Sequence, residues 1–215
     1  MTASSQSLGI STYEQMKAMI LDGTLTPGAA LREKEFADLL GVSRTPVREA
    51  IGHLVSNGFA KRTSAGTPVV NSVSLTDIME ILHARSLLEC EAARKAALSQ
   101  ENTDDFADLR VQIEGSVKGA YPDEGTREAL DEKVHLAVAH RAGSRLLAEL
   151  IEGLNVRAQL YDRGSIPDRF EPVCREHLAI IDAILAGTPD IAAEAMRLHL
   201  KKVRDAIISD IDHPF

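Results

Sequence analysis

At 215 residues the chain is long enough for one large domain or two small ones, each with a buried core. Only 4% of it is aromatic, Trp is absent, and the apolar residues are mostly Ala, Leu, Ile and Val, which suits helices packed on helices. The net charge of −8 argues against a uniformly basic surface, and no run approaches the roughly 18 apolar residues of a membrane span. The start, MTASSQSLGI, lacks the basic and then apolar pattern of a signal peptide and reads as a flexible tail over residues 1–9.

In chain order, Ser11 and Glu14 have the spacing of a capping box, and Tyr13, Met16, Ile20 and Leu21 then recur at helical spacing up to Gly23. Thr26-Pro27-Gly28 reads as a turn. A short helix follows from about Arg32 to Leu40, closed by Gly41. A third runs from about Arg44 to Asn57 with the apolar face Val47, Ala50, Ile51, Leu54 and Val55. Two β-prone runs then flank Ser64-Ala65-Gly66 as a hairpin. That order predicts a winged helix-turn-helix over residues 10–72. Residues 73–215 show no strand signal. Polar breaks at Ser99–Thr103, Tyr121–Gly125, Gly143-Ser144, Gly164–Pro167 and Gly187–Pro189 divide them into about six helices, an all-helical antiparallel bundle. The predicted fold class is therefore mainly α.

Charge is divided unevenly. Residues 1–70 hold seven basic and six acidic side chains, which leaves a net −9 on the rest. A locally basic face is hidden in an acidic average. Ser43 or Thr45 can cap the third helix, and Pro46 fits only its first turn. Arg44 and Arg48 then lie near a helix N-terminus, away from the apolar stripe. In a helix-turn-helix that end enters the major groove of DNA, where a guanidinium fork pairs with guanine or phosphate. Lys34, Lys61 and Arg62 stand where they could meet phosphates, and Gly66 at the wing tip would let the backbone approach closely.

With those residues in view, PGAALREKEFADLLGVSRTPVREAIGHLVSNGFAKRTSAGTPVV resembles the DNA-binding domain of the GntR family of bacterial transcription regulators, over about residues 10–71. The resemblance implies that Arg44 and Arg48 read bases, that Thr45 and Pro46 hold the phosphate-contacting and turn positions, and that Gly66 is the wing glycine; Ser43 is counted beside them as a DNA-binding candidate. Where the family usually has arginine, this chain has Lys34. Lysine keeps the charge and loses the fork, so a phosphate contact is expected there.

The second half holds a different constellation. Asp131 and His135 lie at i and i+4 of LDEKVHLAVAH, and His177 and His199 sit within two later amphipathic segments. Buried histidines need polar partners. A divalent metal held by all four residues would supply them, although D-x3-H alone is more often an i,i+4 surface contact. HARSLLECEAARKAA, LDEKVHLAVAHRAGS and EHLAIIDAILAGTPDIAAEAMRLHL resemble the FCD ligand-binding domain of FadR-type GntR regulators, over about residues 75–208. The resemblance implies a metal site of Asp131, His135, His177 and His199, for Zn, Ni, Mn, Co or Fe, with a small organic acid effector on the metal. Arg85 is a candidate for the effector's other end, with a salt bridge to Glu89 as the competing reading; Arg157 and Tyr161 are further candidates. Ser144 replaces the family's usual Asn and is expected to cap a helix. His53, His83, His140 and His213 match no ligand position, and Cys90 and Cys174 read as reduced thiols.

The expectation is a cytoplasmic, homodimeric, metabolite-responsive transcription regulator, a repressor in the commoner arrangement, bound to an operator of two half-sites and to no membrane. Two alternatives stand beside it: a regulator whose bundle only dimerises, without metal, and a metal-dependent hydrolase or lyase.

Overall fold

The computed structural model describes residues 2–99, 104–119, 121–162 and 169–212. His213 and the expected breaks at residues 100–103 and 164–167 lie outside them. Contacts divide the chain into two units, Met1–Leu75 with Val156–Arg163, and Thr76–Asn155 with Gly164–Phe215. The division thus falls at Leu75 instead of residue 72, and a later segment returns to the first unit.

The first unit contains α1 (Thr2–Leu21), α2 (Glu33–Leu40), α3 (Arg44–Ser56), β1 (Ala60–Arg62) and β2 (Pro68–Val70). Helix α1 begins at Thr2, where the sequence suggested a tail, and Ser11 lies inside it with no capping role. The Ser11 hydroxyl instead accepts from Gln15 at 3.2 Å, and Thr12 donates back to the Leu8 carbonyl at 2.7 Å. Gly9 leaves room for a neighbour: a Cβ there would lie 2.8 Å from a carboxylate oxygen of Glu49 on α3. The stripe Val47, Ala50, Ile51 and Leu54 turns one face of α3 into the core, against Met16, Ile20, Phe36 and Phe59. Val156 and Leu160 complete the same core.

Gly41, at φ +66°, ends α2, and its N–H bonds the Ala37 carbonyl. That left-handed residue makes the sharp turn into α3. The wing is antiparallel, with Ala60 opposite Val70 and Arg62 opposite Pro68. Leu31 donates to the Pro68 carbonyl at 2.9 Å, so the segment before α2 pairs with the outer edge of β2.

The second unit holds nearly all of α4 (Leu75–Leu98), α5 (Asp104–Lys118), α6 (Glu124–Arg141), the start of α7 (Arg145–Asp162), α8 (Phe170–Leu185) and α9 (Pro189–Asp212). Among the described residues no strand follows Val70. Asp123 caps α6 by accepting from the Thr126 N–H at 2.8 Å, and Ser144 accepts from the Leu147 N–H at 3.4 Å at the start of α7. Gly187, at φ +62°, makes the tight turn between α8 and α9, with Pro189 opening α9. The core is aliphatic: Ile78, Leu82, Ile113, Val134, Val138, Ile180, Ile181 and Met196 are buried. Arg110 on α5 donates to Asp182 on α8 at 2.8 Å. Among the described residues no helix is long and apolar enough to cross a membrane, and Cys90 and Cys174 are free thiols.

A candidate nucleic-acid interface and a candidate metal centre

In the first unit, α3 starts at Arg44 with Ser43 at the cap position, in extended backbone. The Ser43 side chain makes no capping bond, so the expected cap is positional only. Pro46 is buried in the first turn, while Lys34, Ser43, Arg44, Thr45 and Arg48 are exposed. Pro46 therefore shapes the helix start and offers nothing to a partner. Lys61, Arg62 and Gly66 are exposed on the wing. Arg62 donates to the Gly66 carbonyl at 3.2 Å, and Gly66, at φ +81°, has open space where a Cβ would stand. Any other residue at that φ would be strained.

The sequence reading missed Glu33. Arg48 donates to both Glu33 carboxylate oxygens, each at 2.7 Å. That pair of hydrogen bonds from Arg48 is the main cause holding the Glu33 carboxyl below its ordinary range. The partner of Arg48 is thus a planar oxyanion on the preceding helix, presented as a phosphate or a guanine edge would be. Its only signal in the sequence was its place beside Lys34.

In the second unit, Asp131 and His135 from α6, His177 from α8 and His199 from α9 bring their ligand atoms within 4.8 Å of one another. The ring centroids lie 5.4 Å apart for His135 and His177, 5.2 Å for His135 and His199, and 4.7 Å for His177 and His199. All three histidines are buried, whereas the Asp131 side chain keeps 44% of its exposure, so the cluster opens to solvent on the carboxylate side. The Nε2 atoms of His135 and His177 are buried with no hydrogen-bond partner, and Asp131 Oδ1 is 3.4 Å from His177 Nε2.

Burial, followed by the charge of neighbouring His199, pushes His177 well below the usual imidazole value, and burial likewise lowers His199. Burial works to raise the Asp131 carboxyl, but the three imidazoles and Arg85 hold it below its ordinary value. The lowered His177 and His199 favour neutral imidazoles at neutral pH, and with the ionised Asp131 they are the kind of donors a divalent ion requires. The unpaired Nε2 atoms are what such an ion would satisfy, so these residues fit a metal.

Two carboxylates unforeseen in the sequence stand behind the ligands. Glu89 on α4 bonds His135 Nδ1 and accepts from Arg85 Nε at 2.6 Å. Glu176 on α8 is 2.8 Å from His199 Nδ1 and accepts from Arg169 Nη2 at 3.0 Å. Each carboxylate takes the Nδ1 side of its imidazole and thereby turns Nε2 toward the cluster. Burial works to raise Glu89, yet Arg85 and His135 hold it at about 2.

Arg85 is thus engaged with Glu89, the competing reading of that pair, although its charge still reaches Asp131 and His177. Arg157 and Tyr161 are grouped with the first unit, where the Arg157 side chain lies beside Gly58. Cys174 is buried one turn before His177, and burial, followed by the charge of Asp131, pushes its thiol up to about 11.

Comparison with known proteins adds a family context. The model described as "Bacterial regulatory proteins, gntR family" matches residues 10–69, and "FCD domain" matches residues 80–202. The "HTH-type transcriptional repressor RspR" of Escherichia coli is 27% identical, over 91% of this chain and 86% of its own. The "Probable D-xylose utilization operon transcriptional repressor" of Paenarthrobacter nicotinovorans is 30% identical, over 84% and 80%. Among solved structures, E. coli McbR/YncC superposes with a TM-score of 0.75 at 25% identity, covering 95% of this chain and 98% of that one.

Proposed function

Because the chain belongs to the gntR family of bacterial regulatory proteins and carries an FCD domain, we propose that this transcription regulator is a metal-dependent repressor answering to a small carboxylate. Its relatives are named as regulators, so the enzyme reading of the four-residue cluster falls away. The DNA-binding role rests on the exposed Arg44 and Arg48 at the start of α3, with Lys34, Lys61, Arg62 and the wing glycine Gly66 around them. Two such heads in a homodimer would read two half-sites, and Lys and Arg contacts to phosphate would make binding salt-sensitive.

The observation that carries the metal reading is the pair of buried, unpartnered Nε2 atoms on His135 and His177 beside Asp131. A divalent ion there would supply a Lewis-acidic position for a carboxylate oxygen. Asp131, His135, His177 and His199 would hold it, while Glu89 and Glu176 fix the imidazoles of His135 and His199. The effector acts by favouring one placement of the DNA heads over another, with a coupling of about 1–3 kcal/mol between the two sites.

The test is metal analysis of the purified full-length protein beside His177→Ala. We expect about one divalent ion per chain in the wild type, loss of that ion in the variant, and a stabilised wild type only when metal is added. Equal metal content and equal melting in both proteins would leave a bundle that only dimerises.

A further inference from the structure

The two helices that carry most of the cluster also define what lies at its mouth. On α6, Arg127, Asp131 and His135 follow at four-residue intervals and share one face. On α8, Phe170, Cys174 and His177 do the same at four and three residues. Tyr121 packs edge-on against Phe170, with ring centroids 5.4 Å apart, which joins the beginnings of the two helices. Asp131 and Cys174 each lie one turn further along their helices than Arg127 and Phe170. The imidazoles form the level below. Arg127 therefore stands one helical turn, a rise of about 6 Å, before the half-buried Asp131 on α6.

The chemistry of Arg127 is incomplete. Its guanidinium lies over the Tyr121 ring, 5.0 Å from the centroid, and donates to the Tyr121 hydroxyl at 3.0 Å. Its Nε is buried without an acceptor. Asp123 feels its charge, but the Asp123 oxygens already accept from the Thr126 N–H and hydroxyl. A buried guanidinium N–H without an acceptor is costly, and an incoming anion relieves that cost. Arg85, by contrast, already spends its Nε on Glu89.

We propose that Arg127, with the Tyr121 hydroxyl, anchors the outer anionic group of the effector, and that the effector is a small diacid. One carboxylate takes the metal position and the other meets Arg127, about one helical turn away. The proposal rests on the carboxylate reading above and makes that reading specific. A monocarboxylate fills only the inner half of the site.

The test uses zinc-loaded full-length protein and calorimetry at constant ionic strength with acetate, malonate, succinate and glutarate. In the wild type the best diacid binds at least about tenfold more tightly than acetate, the order of one charge-assisted contact. In Arg127→Gln that advantage disappears, while zinc content and acetate affinity stay unchanged. If Arg127→Gln fails to hold zinc, Arg127→Lys decides. It keeps the charge but not the fork, and an undiminished diacid preference there overturns the proposal. No diacid preference in the wild type, or one retained in Arg127→Gln, also overturns it. Acetate binding without diacid preference leaves the carboxylate reading intact. Failure of every acid to bind the zinc-loaded protein removes both.

Discussion

Replacing Glu89 with Gln tests the support behind the candidate metal centre most directly. The side chains of Glu89 and Arg85 are 1% and 7% exposed, so the substitution leaves a guanidinium buried without its counter-charge. Breaking a buried pair on one side typically costs about 3–5 kcal/mol. A second route gives a similar figure. Lowering the carboxyl from 4.5 to about 2 corresponds to about 3 kcal/mol favouring the ionised form in the fold. Gln still offers His135 an acceptor, so the ring stays in place, but the ligand becomes less basic, and metal affinity should fall about 10–100-fold. Urea melts of metal-free protein at pH 7, with a chelator competition for zinc, measure both effects. The double variant Arg85→Met/Glu89→Gln should recover part of the lost stability, because it removes the stranded cation. If Glu89→Gln melts within about 0.5 kcal/mol of wild type, as an ordinary surface change does, and holds zinc equally well, the buried relay described above is not what supports His135.

Three further outcomes are expected. Arg48→Ala should abolish enrichment of any preferred duplex from a random DNA pool while leaving the melting temperature nearly unchanged, since its ion pair with Glu33 is largely exposed; surviving enrichment would remove Arg48 from base reading. Glu33→Gln should tighten binding to random duplex at low salt and flatten sequence preference, because it removes a negative charge and frees the Arg48 fork. Unchanged competition between selected and random duplex would speak against that role. Metal-free protein should lose stability on acidification. His177 and His199 titrate lower in the fold than when unfolded, so the unfolded chain binds more protons, and stability present above about pH 6.5 is lost as pH falls. The depressed Asp131, Glu89 and Glu176 act in the same direction below about pH 4.5, and a urea midpoint that stays flat from pH 8 to pH 4 would contradict this.

The sequence made the helices and the wing legible because each has a local signal. Gly41 and Gly187 mark turns, the α3 stripe marks a buried face, and the Gly66 neighbourhood marks a hairpin. Ser11 misled because a serine followed by glutamate three residues on is equally at home inside a helix when nothing upstream breaks it. The four metal-site residues could be picked out by residue type and by resemblance. Their supports could not, because Glu89 lies 46 residues from His135 and Glu176 lies 23 from His199. Only the fold brings such partners together. Arg85 shows the same limit in reverse: its spacing to Glu89 was visible, but only the fold shows that the pair is buried.

Val156 and Leu160 belong to the core of the first unit, although they follow it in the chain by some eighty residues. A DNA-reading head cut after Leu75 would therefore fold around a vacancy where two aliphatic side chains belong. Grafting it onto another sensor would require that sensor to bring its own plug of matching shape. The head is not a detachable cassette, and a graft must carry the late segment with it.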